Sequence, residues 1–320
     1  MTVYQTSCRR GCRDSASPYL PAVDAVCLPN RFSIGALSVE NYSSWIGRNE
    51  TRQDVATLQP ALALGATLDR ATIFLNGRSE LPPLSHWLYF LSTAPMSRLG
   101  TDGHPRRGDF LPPISLPRRM WAGSRIDFLV PIVIGAPIER TSTIVRVNEK
   151  RGRSGTLCFV TLLHEVKVDS ILAVREEQDI VYREASPLGD PLTKGVAVTE
   201  SAALASPDWT RTVMPDPVLL FRYSALTFNG HRIHYDRDYA TKEEGYPGLV
   251  VHGPLQATLL LDLISRSRPA ATVRKFSFRA KNPLFDGKPL ELCASLSGHM
   301  VKLWTVQSAH VGIEADAELE

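Results

Sequence analysis

Two short stretches of this 320-residue chain are apolar on nearly every face, and neither is long enough to cross a membrane. After Gly253-Pro254, the residues Leu255, Ala257, Leu259, Leu260, Leu261, Leu263 and Ile264 leave a helix almost no polar side, and Pro60 to Leu68 has the same character. A helix of this kind must be enclosed on all sides, by lipid or by protein. No run of about 18 apolar residues occurs, so the enclosure is protein. The segments C-terminal to each helix can supply it. Arg125–Ile134, Ile138–Val147, Thr156–Val166 and Ala173–Arg183 are β-branched and aromatic runs bounded by turn residues, and Asn148 to Gly155 reads as a hairpin loop between the middle two. After the second helix, Phe276, Phe278 and Ala280 alternate with Ser277, Arg279 and Lys281, a half-buried strand with a basic outer face. Asp286-Gly287 turns the chain into a strand at Pro289–Leu296, and Met300–Gln307 and His310–Ala315 complete the set. The pattern predicts an α+β protein in which two antiparallel sheets each wrap a central helix, an internal duplication.

The expected organisation is an extension over residues 1–37, a first unit over 38–185, a Ser/Pro/Asp/Thr-rich linker over 186–217 and a second unit over 218–320. Residues 78–120, rich in Pro, Gly, Arg and Ser around the apolar island His86-Trp87-Leu-Tyr-Phe90, read as a long irregular segment of the kind that often carries function. A net charge of +3 gives no case for nucleic acid and is equally compatible with a phosphorylated small-molecule ligand. Five scattered cysteines point to a reducing compartment, with Cys158 and Cys293 as small buried hydrophobes. Cys8 and Cys12 lack a second pair at zinc-ligand spacing, so no metal is expected. Arg9, Arg10 and Arg13 without an apolar run exclude a secretory signal. The expected location is the cytoplasm, or the mitochondrial matrix if this basic segment is a presequence.

Chemistry concentrates in Phe221–Asp236 and Val251–Leu255. Asn229, His231, His234 and Asp236 lie on a polar stretch, and His252-Gly253-Pro254 opens the apolar helix. The first turn of a helix has unsatisfied N–H groups and a positive dipole end, and Gly253 lets a ligand approach them closely. An anion or developing oxyanion is the natural partner there, although the segment alone reads equally as a capped core helix. A Ser/His/Asp hydrolase reading fails because Ser224 lacks a Gly-x-Ser-x-Gly setting. Asp236 reads as a solvated or capping carboxylate.

Tyr223–Ala240 resembles the signature of MaoC-like, R-specific enoyl-CoA hydratases. That pattern runs Gly-Asp-x-Asn-Pro-aliphatic-His, and Phe228-Asn-Gly-His-Arg-Ile-His234 occupies it here, with Ala240 at the matching distance and Val251-His-Gly253 resembling the family's His-Gly step. Asn229 stands where the family has its catalytic Asp, His231 where it has Asn, Phe228 where it has Gly and Arg232 where it has Pro. This variant is similar to a subgroup of fused double hot-dog proteins, the mesaconyl-CoA and itaconyl-CoA hydratases and the type 2 hydroxyacyl-thioester dehydratases. Ser44–Arg52, Leu116–Gly123 and Asp127–Pro131 resemble that subgroup's first hot dog.

The resemblance implies a double hot-dog fold and a hydro-lyase acting reversibly on an enoyl-CoA, with a short branched dicarboxylic acyl group, or a type 2 dehydratase of fatty acid synthesis as the alternative. It implies no cofactor beyond the coenzyme A of the substrate, and it allows a homodimer. Gly253 would hold the thioester oxygen through its N–H, and His234 would act as general base and acid. An amide is no base at neutral pH, so Asn229 would orient the water or the imidazole. His252 and His231 are candidates for either catalytic or structural roles. Tyr223, Arg279, Lys281, Arg118, Arg119 and Trp121 are the candidates for substrate binding, Arg279 and Lys281 for coenzyme A phosphates and Arg118, Arg119 and Trp121 for a carboxylate in the acyl chain. The first half has Leu58-Gln59 and no His-Gly step before its helix, which leaves one site per chain. A non-catalytic acyl-CoA-binding protein is the rival that the Asn229 exchange favours, and a thioesterase is a third option that lacks its carboxylate.

Overall fold

A computed structural model describes residues 42–70, 80–152, 155–185 and 206–320 of the chain. The expected extension over 1–37, Cys8, Cys12, Cys27 and residues 186–205 of the expected linker lie outside them. In chain order the described elements are β1 (Asn49–Val55), α1 (Leu58–Thr67), β2 (Arg118–Phe128), β3 (Pro137–Gly152), β4 (Gly155–Val168), β5 (Ile171–Arg183), β6 (Trp209–Val213), α2 (Pro217–Leu226), α3 (Gly253–Ser267), β7 (Val273–Ala280), β8 (Leu290–Ser297), β9 (Met300–Gln307) and β10 (His310–Leu319).

The strands form one ten-stranded sheet in the order β1-β3-β4-β5-β2-β7-β10-β9-β8-β6. Read from its two ends, the order is the same five-strand arrangement twice, and β2 pairs antiparallel with β7 at the joint. This is the double hot dog, with its two sheets fused into one. The joint depends on Gly123: a methyl group there would come within 2.3 Å of the Phe278 carbonyl oxygen, so a side chain would push β2 off β7.

Helix α3 is the enclosed helix of the second half. Leu255 through Ile264 are all buried, and the helix packs against β6, β8, β9 and β10. Its buried polar side chains are satisfied, as interior packing requires. Asp262 accepts from Arg70 (2.6 Å), Arg211 (2.6 Å) and Arg266 (2.7 Å), and Gln256 accepts from the Thr305 hydroxyl (2.7 Å). The expectation of a fully buried first helix is corrected. α1 buries only Ala61, Leu64 and Gly65 and packs on α2.

Three boundaries also differ from the sequence expectation. The β3–β4 ladder runs out to Gly152↔Gly155, so the segment read as a hairpin loop is mostly paired. β2 runs Arg118–Phe128 where Arg125–Ile134 was expected: its ladder with β5 extends back to Arg118↔Arg183 and ends at Phe128↔Val174. Trp209–Val213, placed in the linker, is the strand β6 against β8. Residues 80–117 are irregular, with short 3-10 turns at Ser85–Leu88 and Met96–Arg98, while residues 118–120 of the segment expected to be irregular enter β2. Cys158 and Cys293 are buried, and burial pushes both thiols up to about 11. No helix among the described residues is long and apolar enough to cross a membrane.

Candidate active site

α2 starts on an Asp216 cap with Pro217 in its first turn, and it ends at Leu226. Phe228 then adopts a left-handed backbone, φ +48°, which reverses the chain. That conformation favours glycine, the residue the resembling family carries there, and the exposed Phe228 ring occupies it under strain. The Asn229 side chain closes the turn by accepting from His231 N–H at 3.0 Å, while Asn229 N–H donates to the Ser224 carbonyl at 2.8 Å. A 3-10 turn over Arg232–His234 follows, and Asp236 caps Tyr239 N–H and pairs with Arg232. Asp236 is therefore a capping carboxylate.

This local fold delivers His234 to the interior. Its Nδ1–H donates to the Val250 carbonyl at 2.7 Å, and since a carbonyl only accepts, Nε2 is left with its lone pair. Burial holds the imidazole down at about 4, so it is neutral near pH 7. The His252 ring stacks on it with centroids 3.6 Å apart, and burial also holds His252 well below the usual range. One His252 nitrogen meets the Ser224 hydroxyl at 2.8 Å and the other is buried without a partner. The next residue, Gly253, is the first of α3. Beyond its chain neighbours and the helix's own backbone, no heavy atom lies within 4 Å of where its side chain would be, so the start of α3 borders free space that a ligand can enter. Tyr223 meets the His252 ring edge-on at 5.1 Å and places its hydroxyl 3.3 Å from Thr258 Oγ1.

That free space is a continuous cleft of about 2110 Å³, walled by His231, His234, His252 and Gly253 of the second half and by His104 and Arg119 of the first. It exceeds the roughly 300–1,000 Å³ of a drug-sized ligand's pocket. It extends over the first half's sheet to a buried carboxylate, Glu176, which accepts from Trp87 Nε1 (2.9 Å) and the Ser124 hydroxyl (2.7 Å) and meets His86 Nε2 at 3.0 Å. Burial raises the Glu176 carboxyl, but these partners, His86 first, outweigh it and bring it to about 2.

The sequence-derived substrate residues separate into two groups. Arg119, Trp121, Tyr223 and Lys281 line the cleft. Trp121 is held by Ser124 at 2.9 Å, and Lys281 is paired with Glu314 at 2.8 Å. Arg118 and Arg279 do not line it: Arg118 is buried against Glu244 (3.0 Å) and the Tyr246 ring, and Arg279 is exposed on the outer face of β7. Asn229 and His231 line it alongside His234.

Sequence reasoning missed the contribution of residues 100–108. His104 Nδ1 meets Asp102 Oδ2 at 3.0 Å, and the His104 ring lies 4.2 Å from that of His231, which meets His234 edge-on at 5.4 Å. Gly103, φ +86°, touches Gly230 so closely that a methyl group would sit 1.9 Å from its carbonyl oxygen. Among the described residues, the side-chain ligand atoms of Asp102, His104 and His231 fall within 4.8 Å of one another. A cation would meet two unfavourable features there: one His104 nitrogen is engaged by Asp102, and the charge of Arg119 bears on all three groups.

Comparison with known proteins agrees with this arrangement. The family model for hydroxyacyl-thioester dehydratase type 2 matches residues 84–286. The chain is 49% identical over 268 residues to a mesaconyl-C(4)-CoA hydratase of Chloroflexus aurantiacus, covering 83% of this chain and 93% of that one. It is 29% identical over 247 residues to the mitochondrial hydroxyacyl-thioester dehydratase type 2 of Schizosaccharomyces pombe, covering 69% and 80%. The crystal structure of a MaoC-like dehydratase from Phytophthora capsici superposes with a TM-score of 0.60 at 12% identity, covering 86% of this chain and 96% of that one, which supports the fold. The chain thus belongs to the hydroxyacyl-thioester dehydratase type 2 family, and it is a hydro-lyase.

Proposed function

We propose that the enzyme adds water reversibly across the double bond of a short, branched, dicarboxylic enoyl-CoA of the mesaconyl-C4-CoA type. The observation that carries this is the pairing of an open helix start at Gly253 with the Nε2 lone pair of His234, side by side on one cleft. The thioester oxygen docks on Gly253 N–H, where the α3 dipole favours the charge that develops. The O–H bond of water breaks as its oxygen bonds to the β-carbon, and the proton passes to His234 Nε2. The electron pair of the C=C bond moves onto the thioester oxygen as an enolate. The proton then returns from Nε2 to the α-carbon, the thioester re-forms, and His234 ends neutral. No cofactor takes part beyond the coenzyme A that the substrate carries.

The acyl preference draws support from the Chloroflexus relative and from Arg119. Water adds to the carbon that bears the free carboxylate in such a substrate, so a cation beside the histidines suits it. Arg118 has no part in this, being engaged by Glu244. We place the enzyme in the cytoplasm, with the mitochondrial matrix as the alternative that the mitochondrial Schizosaccharomyces relative supports. The deciding experiment incubates the protein with mesaconyl-C4-CoA, itaconyl-CoA, crotonyl-CoA and acyl-carrier-protein enoyl thioesters and detects water addition by mass. Fastest turnover of the dicarboxylic CoA substrates is expected. Preference for unbranched carrier-protein thioesters would instead favour the dehydratase of fatty acid synthesis, and thiol release without hydration would refute both.

A further inference from the structure

Asn229 leaves the second half without the carboxylate that its resembling family uses on the water, and its side chain is occupied in capping His231 N–H. The first half brings a carboxylate to the same place. We infer that the Asp102–His104 pair is a second catalytic element of this site, with His104 Nε2 accepting a hydrogen bond from the adding water; the inference rests on the hydratase reading.

Four observations place the pair. His104 faces the cleft, while Asp102 stands behind it. The Asp102 carboxylate accepts at 3.0 Å from His104 Nδ1–H, which leaves Nε2 as the acceptor nitrogen of His104. The pair is fixed by backbone contacts and not by its side chains alone: Asp102 Oδ1 accepts from His104 N–H (3.0 Å), the Asp102 carbonyl accepts from Arg232 N–H (2.9 Å), and the Thr101 carbonyl accepts from the Arg232 guanidinium (3.0 Å). Finally, the close approach of Gly103 to Gly230 admits no side chain, so the 100–108 loop is seated directly on the loop that carries Asn229 and His231.

Chemistry distinguishes His104 from His234. The Nδ1–H of His234 points at a neutral carbonyl, whereas that of His104 points at a carboxylate. A carboxylate partner strengthens an imidazole as an acceptor and offsets positive charge formed nearby, which a backbone carbonyl does less well. The proton inventory is unchanged by this assignment. One water O–H bond breaks and its proton travels through His234 to the α-carbon. The other O–H stays bonded to oxygen, held by His104, and becomes the hydroxyl of the product. Asp102 and His104 finish as they began.

The test uses the full chain with mesaconyl-C4-CoA. Asp102→Asn is isosteric and can still accept from His104 N–H, but its amide N–H faces Nδ1 and reverses the tautomer, so Nε2 becomes a donor. The expected result is a kcat lower by about tenfold or more, with KM and melting temperature nearly unchanged. His104→Ala should lower kcat by about 10²-fold. A purely structural role would instead lower the folded fraction and leave the kcat of folded enzyme intact. A folded Asp102→Asn variant with kcat within about threefold of wild type would overturn the proposal. So would an Nε2–H tautomer of His104 in the wild type by ¹⁵N NMR, a readout that needs no turnover. If the wild type hydrates none of the thioesters, the hydratase reading fails and not the tautomer assignment.

Discussion

Replacing Gly253 by alanine separates catalysis from stability, because the structure predicts opposite signs for the two. The added methyl group meets no heavy atom within 4 Å, and the backbone there is not in the left-handed region, so the folded state pays no clash or strain. Loss of the glycine's freedom in the unfolded chain then stabilises the protein by about 0.4–1 kcal/mol. For a chain of this size that raises the melting temperature by roughly 1–3 °C. The same methyl group projects into the cleft beside the N–H that receives the thioester oxygen. A displacement of the substrate by about 1 Å is enough to lower turnover by about 10²-fold. That is about 2.7 kcal/mol of transition-state stabilisation. Thermal melting and steady-state hydration of mesaconyl-C4-CoA on the same preparation read both effects. A variant with normal stability and kcat/KM within about threefold of wild type would remove Gly253 from the oxygen site.

His234→Ala should lower kcat by about 10²- to 10⁴-fold in a folded protein, measured by single-turnover hydration; near-normal turnover would exclude His234 from proton transfer. Because burial holds His234 at about 4, the acid limb of the kcat/KM profile should lie below pH 5, and a limb at the ordinary value near 6.5 would contradict a buried neutral base. Arg118→Ala leaves Glu244 with the Tyr239 hydroxyl but without its cationic partner in a largely buried site and should destabilise by about 3 kcal/mol in urea unfolding, with KM unchanged in the folded fraction; a raised KM with intact stability would return Arg118 to substrate binding. His104, His164, His231, His234 and His252 are all held below their ordinary range by burial. They stay neutral when folded and take up protons only when unfolded, so stability is full above pH 6.5 and falls as the pH drops below it. Each contributes at most about 1.4 kcal/mol at pH 5.5, and equal urea midpoints at pH 7.5 and 5.5 would refute the assignment.

The strands were legible where one face is buried and the other wet. Met300–Gln307 is the expected strand to the residue, and β7 alternates as read at Phe276, Phe278 and Arg279, although it ends at Ala280, before Lys281. α3 was legible because almost nothing polar interrupts it, and the His-Gly step at its start marked the site. α1 was misjudged because a short apolar helix looks the same whether a sheet or another helix covers it. Asp102 and His104 carried no periodic signal, and the contact of their loop with Arg232 joins residues 131 apart in the chain. Glu176 was hidden in the polar string Arg175-Glu-Glu-Gln178, although a signal existed. Along β5 it shares a face with the buried Val174 and Ile180, a carboxylate on the inward side of a strand.

The pairing of β2 with β7 also decides what the two halves are when apart. Joined, the described strands present two unpaired margins, β1 and β6. β1 bears Glu50, Arg52 and Asp54 and β6 is five residues long, both of which discourage another chain from adding on. Cut free, each half would bare a further strand of eight to eleven residues, complete with its row of unsatisfied N–H and C=O groups. Fusion into one chain therefore protects the protein against its own sheet as well as bringing His104 to His231.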